Sequence, residues 1–272
     1  MSKRICAPTD GGSHQTKSSK LVYAVLLVCL LTLSILITSA SSLLEGSQTI
    51  SSSGMIEYSA VTYFETGFET GDLSEVNTEI TDPATINVVS ENPYTGTYSA
   101  KIYTATGGPY GRGRLVKNLP DLEEVNVRVY FYIDYWDGYI QVIRTAGHTQ
   151  GYYTYIARVV ISSSYVELQL GMEDKNPGDW WPAGEPGPLS KRTSYSFQTD
   201  RWYRIEMRFK GGSSGEGKVW VDGVQKISYL GDMSGAPDVD KAICGVCLYQ
   251  TDVDPATIYV DDFAINDKYI GS

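Results

Sequence analysis

Residues 200–225 read DRWYRIEMRFKGGSSGEGKVWVDGVQ, and the reading of this stretch decides the fold. From Tyr203 to Phe209 the side chains alternate: Tyr203, Ile205, Met207 and Phe209 against Arg204, Glu206 and Arg208. A period of two marks a strand with one buried face. Beyond the turn at 211–215, Lys218–Ile227 holds Asp222-Gly223, a pair suited to the two positive-φ positions of a type I′ turn. The stretch therefore predicts antiparallel strands in sequence. GGSSG (211–215) has the form Gly-x-Ser-x-Gly, but a nucleophile elbow needs a helix after the serine, and here another strand follows.

The same pattern extends outward. VRVYFYI (127–133), YIARVVI (155–161), YVELQL (165–170) and TIYVDDFAI (257–265) also alternate, each bounded by Gly, Pro, Asn or Asp. No long amphipathic helix is legible after residue 44. Ten to fourteen short strands over 56–272 imply an all-β antiparallel β-sandwich, or jelly roll. The abundance of Tyr (21) and Gly (27) over Phe (6) fits a turn-rich sandwich with half-exposed aromatics. The stretch 172–194, with four prolines, reads as a long irregular loop. The Cys244-x-x-Cys247 pair lies in an apolar strand run, which favours packing over redox or zinc chemistry.

The chain before the sandwich has its own logic. LVYAVLLVCLLTLSILI (21–37) is free of charge, and at ~1.5 Å per residue it reaches ~26 Å, the lower limit for one transmembrane helix. Lys3, Arg4, Lys17 and Lys20 flank it on the N-terminal side, so the leader 1–20 stays cytoplasmic and the rest is exported. The segment 21–40 is either an uncleaved anchor or a signal peptide cut after Thr38-Ser39-Ala40. The Ser-rich run 41–55 is a tether. The net charge of −10 includes a basic leader, so the exported part is more acidic still, which excludes a nucleic-acid partner.

The strand sequence carries a family resemblance. FETGDLSEV (68–76) resembles the opening "F-E-x-G-D-L-S-x-W" of concanavalin A-like lectin/glucanase (laminin-G-like) domains, with Val76 in place of the usual Trp. YTGTYSAKIY (94–103), the 200–225 stretch and IYVDDFAI (258–265) are similar to that family's second strand, its long hairpin and its closing strand. The resemblance implies a fold whose first and last strands are neighbours. It implies a structural Ca²⁺ at that edge, with Glu69, Asp261 and Asp262 as ligands and carbonyls near Gly67 assisting. Calcium takes six to eight hard oxygens, and glycine lets carbonyls turn toward it.

The catalytic strings of enzymes resembling this family are missing. No Glu-x-Asp-x-Glu strand occurs, and the spacing in ELQLGMED (167–174) is wrong for it. RIEM (204–207) is similar to the Arg-x-Glu strand of jelly-roll polysaccharide lyases, but QVI (141–143) has Ile143 where their histidine belongs. His148 is the lone histidine past the hydrophobic segment. The remaining signal is aromatic. Trp180 and Trp181 sit in the long loop, and Arg128, Tyr130, Tyr132, Arg158, Glu167 and Arg204 take polar strand positions. Rings that stack on sugar C–H faces, beside groups that hydrogen-bond hydroxyls, point to glycan binding without catalysis. A structural surface protein or adhesin, or less directly a polysaccharide lyase or hydrolase, is the alternative.

Overall fold

The computed structural model describes residues 48–50, 56–58, 60–81, 84–104, 112–136, 138–149, 152–171, 180–247 and 255–271. β1 (Gln48–Ile50) and β2 (Ile56–Tyr58) pair antiparallel with each other. The unit Ala60–Ser272 is a sandwich of two antiparallel sheets. Its strands are β3 (Thr62–Thr66), β4 (Asn77–Thr81), β5 (Ala84–Val89), β6 (Ser99–Thr104), β7 (Arg112–Leu122), β8 (Glu124–Tyr135), β9 (Tyr139–Thr149), β10 (Tyr152–Ser162), β11 (Tyr165–Leu170), β12 (Leu189–Ser194), β13 (Arg201–Lys210), β14 (Gly212–Val221), β15 (Val224–Met233), β16 (Val239–Cys247) and β17 (Ala256–Asn266).

One sheet has seven strands in the order β12-β11-β10-β9-β16-β7-β4. The other has eight, in the order β15-β14-β13-β8-β17-β6-β5, with β3 also paired to β17. The expected sandwich is present; among the described residues of 56–272 there are sixteen strands, fifteen of them in its two sheets, where ten to fourteen were expected. The excess comes partly from β12, inside the stretch read as a loop. As an edge strand with only Leu189 buried, β12 carries no apolar alternation to reveal it. The segment 21–40 lies outside the described residues, and among those residues no helix is long and apolar enough to cross a membrane.

Alternation builds the core. In β8, Val125, Val127, Val129, Phe131 and Ile133 are fully buried, while Arg128, Tyr130 and Tyr132 turn to the outer face. β13 matches it residue for residue, with Tyr203, Ile205, Met207 and Phe209 inward. Leu168, Leu170, Ile143 and Val159 face them from the seven-stranded sheet. Val76 is buried in this core, so the smaller residue fills the position the resemblance gives to Trp. The β14–β15 turn has Asp222 and Gly223 at φ 51° and 77°, the geometry that the Asp-Gly pair predicted.

The ends of the sandwich meet. β17 lies between β8 and the pair β6 and β3, with Phe263 opposite Thr66, Ala264 opposite Glu65 and Ile265 opposite Phe64. A bulge between Asp261 and Ala264 interrupts its pairing with β8, and Asp262 there takes a positive φ of 43°.

Candidate functional site

An open groove of about 310 Å³ lies on the outer face of the eight-stranded sheet, lined by Tyr94, Tyr130, Trp202, Arg204 and Asp222. Register places it there. Tyr130 of β8 is directly opposite Arg204 of β13, and Trp202 is two residues along on the same face, opposite Tyr132. Tyr94 arrives from the loop between β5 and β6 and stacks on Tyr130, with centroids 3.8 Å apart and planes at 23°. Trp202 stands edge-on to Tyr94 at 5.6 Å. Asp222, at the tight turn, accepts from the Arg204 backbone N–H at 3.0 Å and from Arg201 at 2.8 Å. The site thus has an aromatic wall, one guanidinium and one carboxylate.

Next to Arg204 on this face, not every polar atom is paired. Glu206, two residues from Arg204 on the same face, is only 2% exposed. Its Oε1 is 3.2 Å from the Arg204 Nε, yet neither atom has a hydrogen-bond partner. Burial raises the Glu206 carboxyl above its ordinary range, against the opposing pull of Arg204. The Tyr94 phenol is raised too, first by its hydrogen bond with Tyr130 and then by burial.

The residues singled out in the sequence separate onto two surfaces. Tyr130 and Arg204 line the groove. Tyr132 adjoins it, 5.6 Å from Trp202, and Arg128 bonds Glu65 at 3.2 Å on the same face. Arg158 and Glu167 lie on the outer face of the other sheet. Arg158 donates to Gln169, and Glu167 accepts from Ser190 at 2.6 Å and from Arg192 at 2.6 and 3.0 Å. Trp180 is 5% exposed and packs edge-on to Phe209 in the core, whereas Trp181 is 39% exposed; neither lines the groove. Trp202 and Tyr94 were not singled out, and Asp222 was read only as a turn residue. Trp202 shares the alternation that exposed Arg204, so it was within reach of the sequence; the position of a loop tyrosine was not.

The outer face of the seven-stranded sheet has a different character. Arg114 and Arg144, each 3% exposed, flank the Tyr155 ring, their guanidinium carbons 5.9 and 4.3 Å from its centroid. Tyr153 stands edge-on to Tyr155 and to His148, and His148 pairs with Asp240. Burial drives the Tyr153 phenol far above its usual value.

Of Glu69, Asp261 and Asp262, the two aspartates bring carboxylate oxygens to Gly67, and Glu69 only its Cγ. A Cβ placed on Gly67 would lie 3.3 Å from Asp262 Oδ1 and 3.6 Å from Asp261 Oδ1. The aspartates offer a hard cation carboxylate oxygens on one side of Gly67; burial pushes Asp261 up to about 6 and raises Asp262, although Asp261 already accepts the backbone N–H groups of Tyr94, Thr95 and Asp262. Glu69 does not turn toward them. It accepts the backbone N–H groups of Thr97 at 2.9 Å and Tyr98 at 3.0 Å, which lower its pKa. Among the described residues no group of three or more His, Cys, Asp or Glu is placed to hold a metal ion.

No family model matches the chain, and no curated protein matches it by sequence. Solved structures match in shape. An endo-β-1,4-glucuronan lyase from the fungus Trichoderma reesei is 12% identical, with a TM-score of 0.61 over 78% of this chain and 98% of that one. The cellulose induced protein Cip1 is 15% identical, with a TM-score of 0.55 over 77% and 99%. A carbohydrate esterase from the Shiga toxin-encoding bacteriophage phi24B is 13% identical, with a TM-score of 0.52 over 78% and 100%. At these identities the likeness establishes the sandwich fold.

The Asp261 shift gives a pH signature. Its folded pKa, about 6, exceeds the ordinary 3.8, so protonation favours the folded state. That contribution is complete below pH ~4 and is lost as the pH rises through ~6. Urea titrations of wild type and Asp261→Asn from pH 4 to 7 will show the wild type losing stability relative to the variant. Parallel curves would refute the shift.

Proposed function

We propose that this chain is an exported, non-catalytic carbohydrate-binding module, lectin-like, that takes sugar rings in the Tyr94–Tyr130–Trp202 groove. The observation that carries the reading is the aromatic wall set against Arg204 and Asp222. Pyranose rings offer apolar C–H faces to aromatics and hydroxyls to a mixed donor and acceptor pair. The volume, about 310 Å³, falls at the lower end of small-ligand sites. Two shape relatives, a glucuronan lyase and a carbohydrate esterase, act on carbohydrates by their names, which adds support. In this reading 21–40 tethers the sandwich to the membrane, or is removed to release it, and 41–55 spaces the sandwich from the surface.

Calcium belongs to the same proposal as a structural clip. Asp261 and Asp262, with carbonyls near Gly67, would hold the ion where the chain ends meet, neutralising two carboxylates that burial disfavours. It supplies no chemistry to the groove.

A second reading, cleavage of an acidic polysaccharide, draws on one observation: Arg114, Arg144, Tyr153, Tyr155 and His148 share the opposite face. Arginines there would neutralise a uronate, and His148 would serve as the base. The raised Tyr153 pKa makes that phenol a poor base at neutral pH.

A glycan array probed with the full chain tests the main reading. Binding is expected, and Trp202→Ala or Tyr130→Ala should weaken it about 10-fold or more, the scale of an aromatic hot spot. Silence across diverse glycans would shift the reading to a structural surface protein. Release of unsaturated product, lost in His148→Ala, would establish the lyase instead. Calcium has its own measurement. Each ~1 kcal/mol gained moves the melting midpoint of a domain this size by ~2–4 °C, so millimolar Ca²⁺ should raise it and chelator should reverse the rise. An unchanged midpoint removes calcium from the reading.

A further inference from the structure

Four of the groove's five lining residues stand on strands or at the β14–β15 turn; Tyr94 alone comes from a longer loop, the one joining β5 to β6. That loop is gripped by carboxylates from both ends of the sandwich. Asp261 Oδ2 accepts the N–H of Tyr94 at 2.8 Å and of Thr95 at 3.2 Å. Asp262 accepts the Thr95 hydroxyl at 3.3 Å. Glu69 accepts the N–H groups of Thr97 and Tyr98, across the positive φ of Gly96. Asp261 is fully buried and does not line the groove. Its other oxygen accepts the N–H of Asp262 at 2.8 Å, so one carboxylate ties the bulge of β17 to the loop.

We infer that Asp261 is a positioning residue for the groove: through the Tyr94 and Thr95 amides it fixes the Tyr94 ring against Tyr130, and so sets ligand affinity without touching ligand. The inference rests on the groove being the sugar site. Chemistry distinguishes this role from general scaffolding. A carboxylate serves N–H donors with both oxygens. Asparagine has one acceptor oxygen, and its NH₂ would confront either the Tyr94 and Thr95 amides or the Asp262 amide. Asp261→Asn should therefore free the Tyr94 end of the loop, while Glu69 continues to hold Thr97 and Tyr98.

Two measurements on the full chain test this. The first is amide hydrogen exchange. In Asp261→Asn, exchange should accelerate at Tyr94 and Thr95 and stay unchanged at Thr97, Tyr98 and the amides of β8 and β13. A uniform rise, or none, overturns the positioning role. The second is retardation in native gels containing hydroxyethylcellulose, xylan or polygalacturonate. Asp261→Asn and Tyr94→Ala should each weaken retardation about 10-fold, and the double variant should be no weaker than Tyr94→Ala alone. Full retardation of Asp261→Asn alongside loss in Tyr94→Ala would overturn the inference and leave the groove standing. If the wild type is not retarded by any of the three, the groove reading has failed, and exchange at Tyr94 and Thr95 still decides what Asp261 positions.

Discussion

The sandwich depends on one constraint, the way β17 is threaded through the middle of the eight-stranded sheet. It pairs with β8 along one edge and with β6 and then β3 along the other, so residues 62–66 and 256–266 must find each other across nearly the whole domain. Such contacts close a long loop before they return any stabilisation. The bulge makes the threading chemically possible. Ile258 and Val260 point inward, and unbroken alternation would send Asp262 inward after them. The extra residue and the positive φ at Asp262 switch the parity, so that Phe263 and Ile265 enter the core instead. An ionised aspartate in the core would cost several kcal/mol. The same switch delivers Asp261 and Asp262 to the loop that carries Tyr94.

Much of this was legible. The alternation in β8 and β13 told which residues face the core, Asp222-Gly223 marked a turn, and the family resemblance carried by FETGDLSEV and IYVDDFAI implied the meeting of the ends. What failed did so for physical reasons. Period two tells inside from outside, but a sandwich has two outsides, pointing in opposite directions. Arg204 and Arg158 look alike in the sequence and occupy opposite surfaces. The β9–β10 ladder slips register twice, with Ile156 extra in β10 and Val142 extra in β9, and both strands bury adjacent residues that simple alternation would separate.

Trp180 shows a further limit. Adjacent tryptophans in a proline-rich loop read as exposed, yet Trp180 reaches the core because Gly171, at φ 74°, leaves room for its backbone; a Cβ there would lie 2.3 Å from the Trp180 carbonyl oxygen. No local pattern announces a close approach between segments. Tyr94 was hidden for the same reason, since its place is set by carboxylates remote in the chain.

Two glutamates, each 2% exposed, explain why the groove rather than the opposite face carries the main functional reading. Burial disfavours the charge on both. For Glu167, hydrogen bonds from Ser190, Gln169 and Arg192 more than offset that penalty, and its pKa ends below the ordinary value. For Glu206 burial prevails over the ion pair with Arg204, the backbone N–H groups of Gly271 and Ile270 and the charge of Arg128, so its pKa ends above. A satisfied buried network is stiff and has little to offer a ligand, whereas an under-served one gains when a new donor arrives. The Glu167 cluster behaves as structure. Arg204 lines the open groove beside Tyr94, Tyr130 and Trp202, and its Nε and the neighbouring Glu206 Oε1 are left without a hydrogen bond.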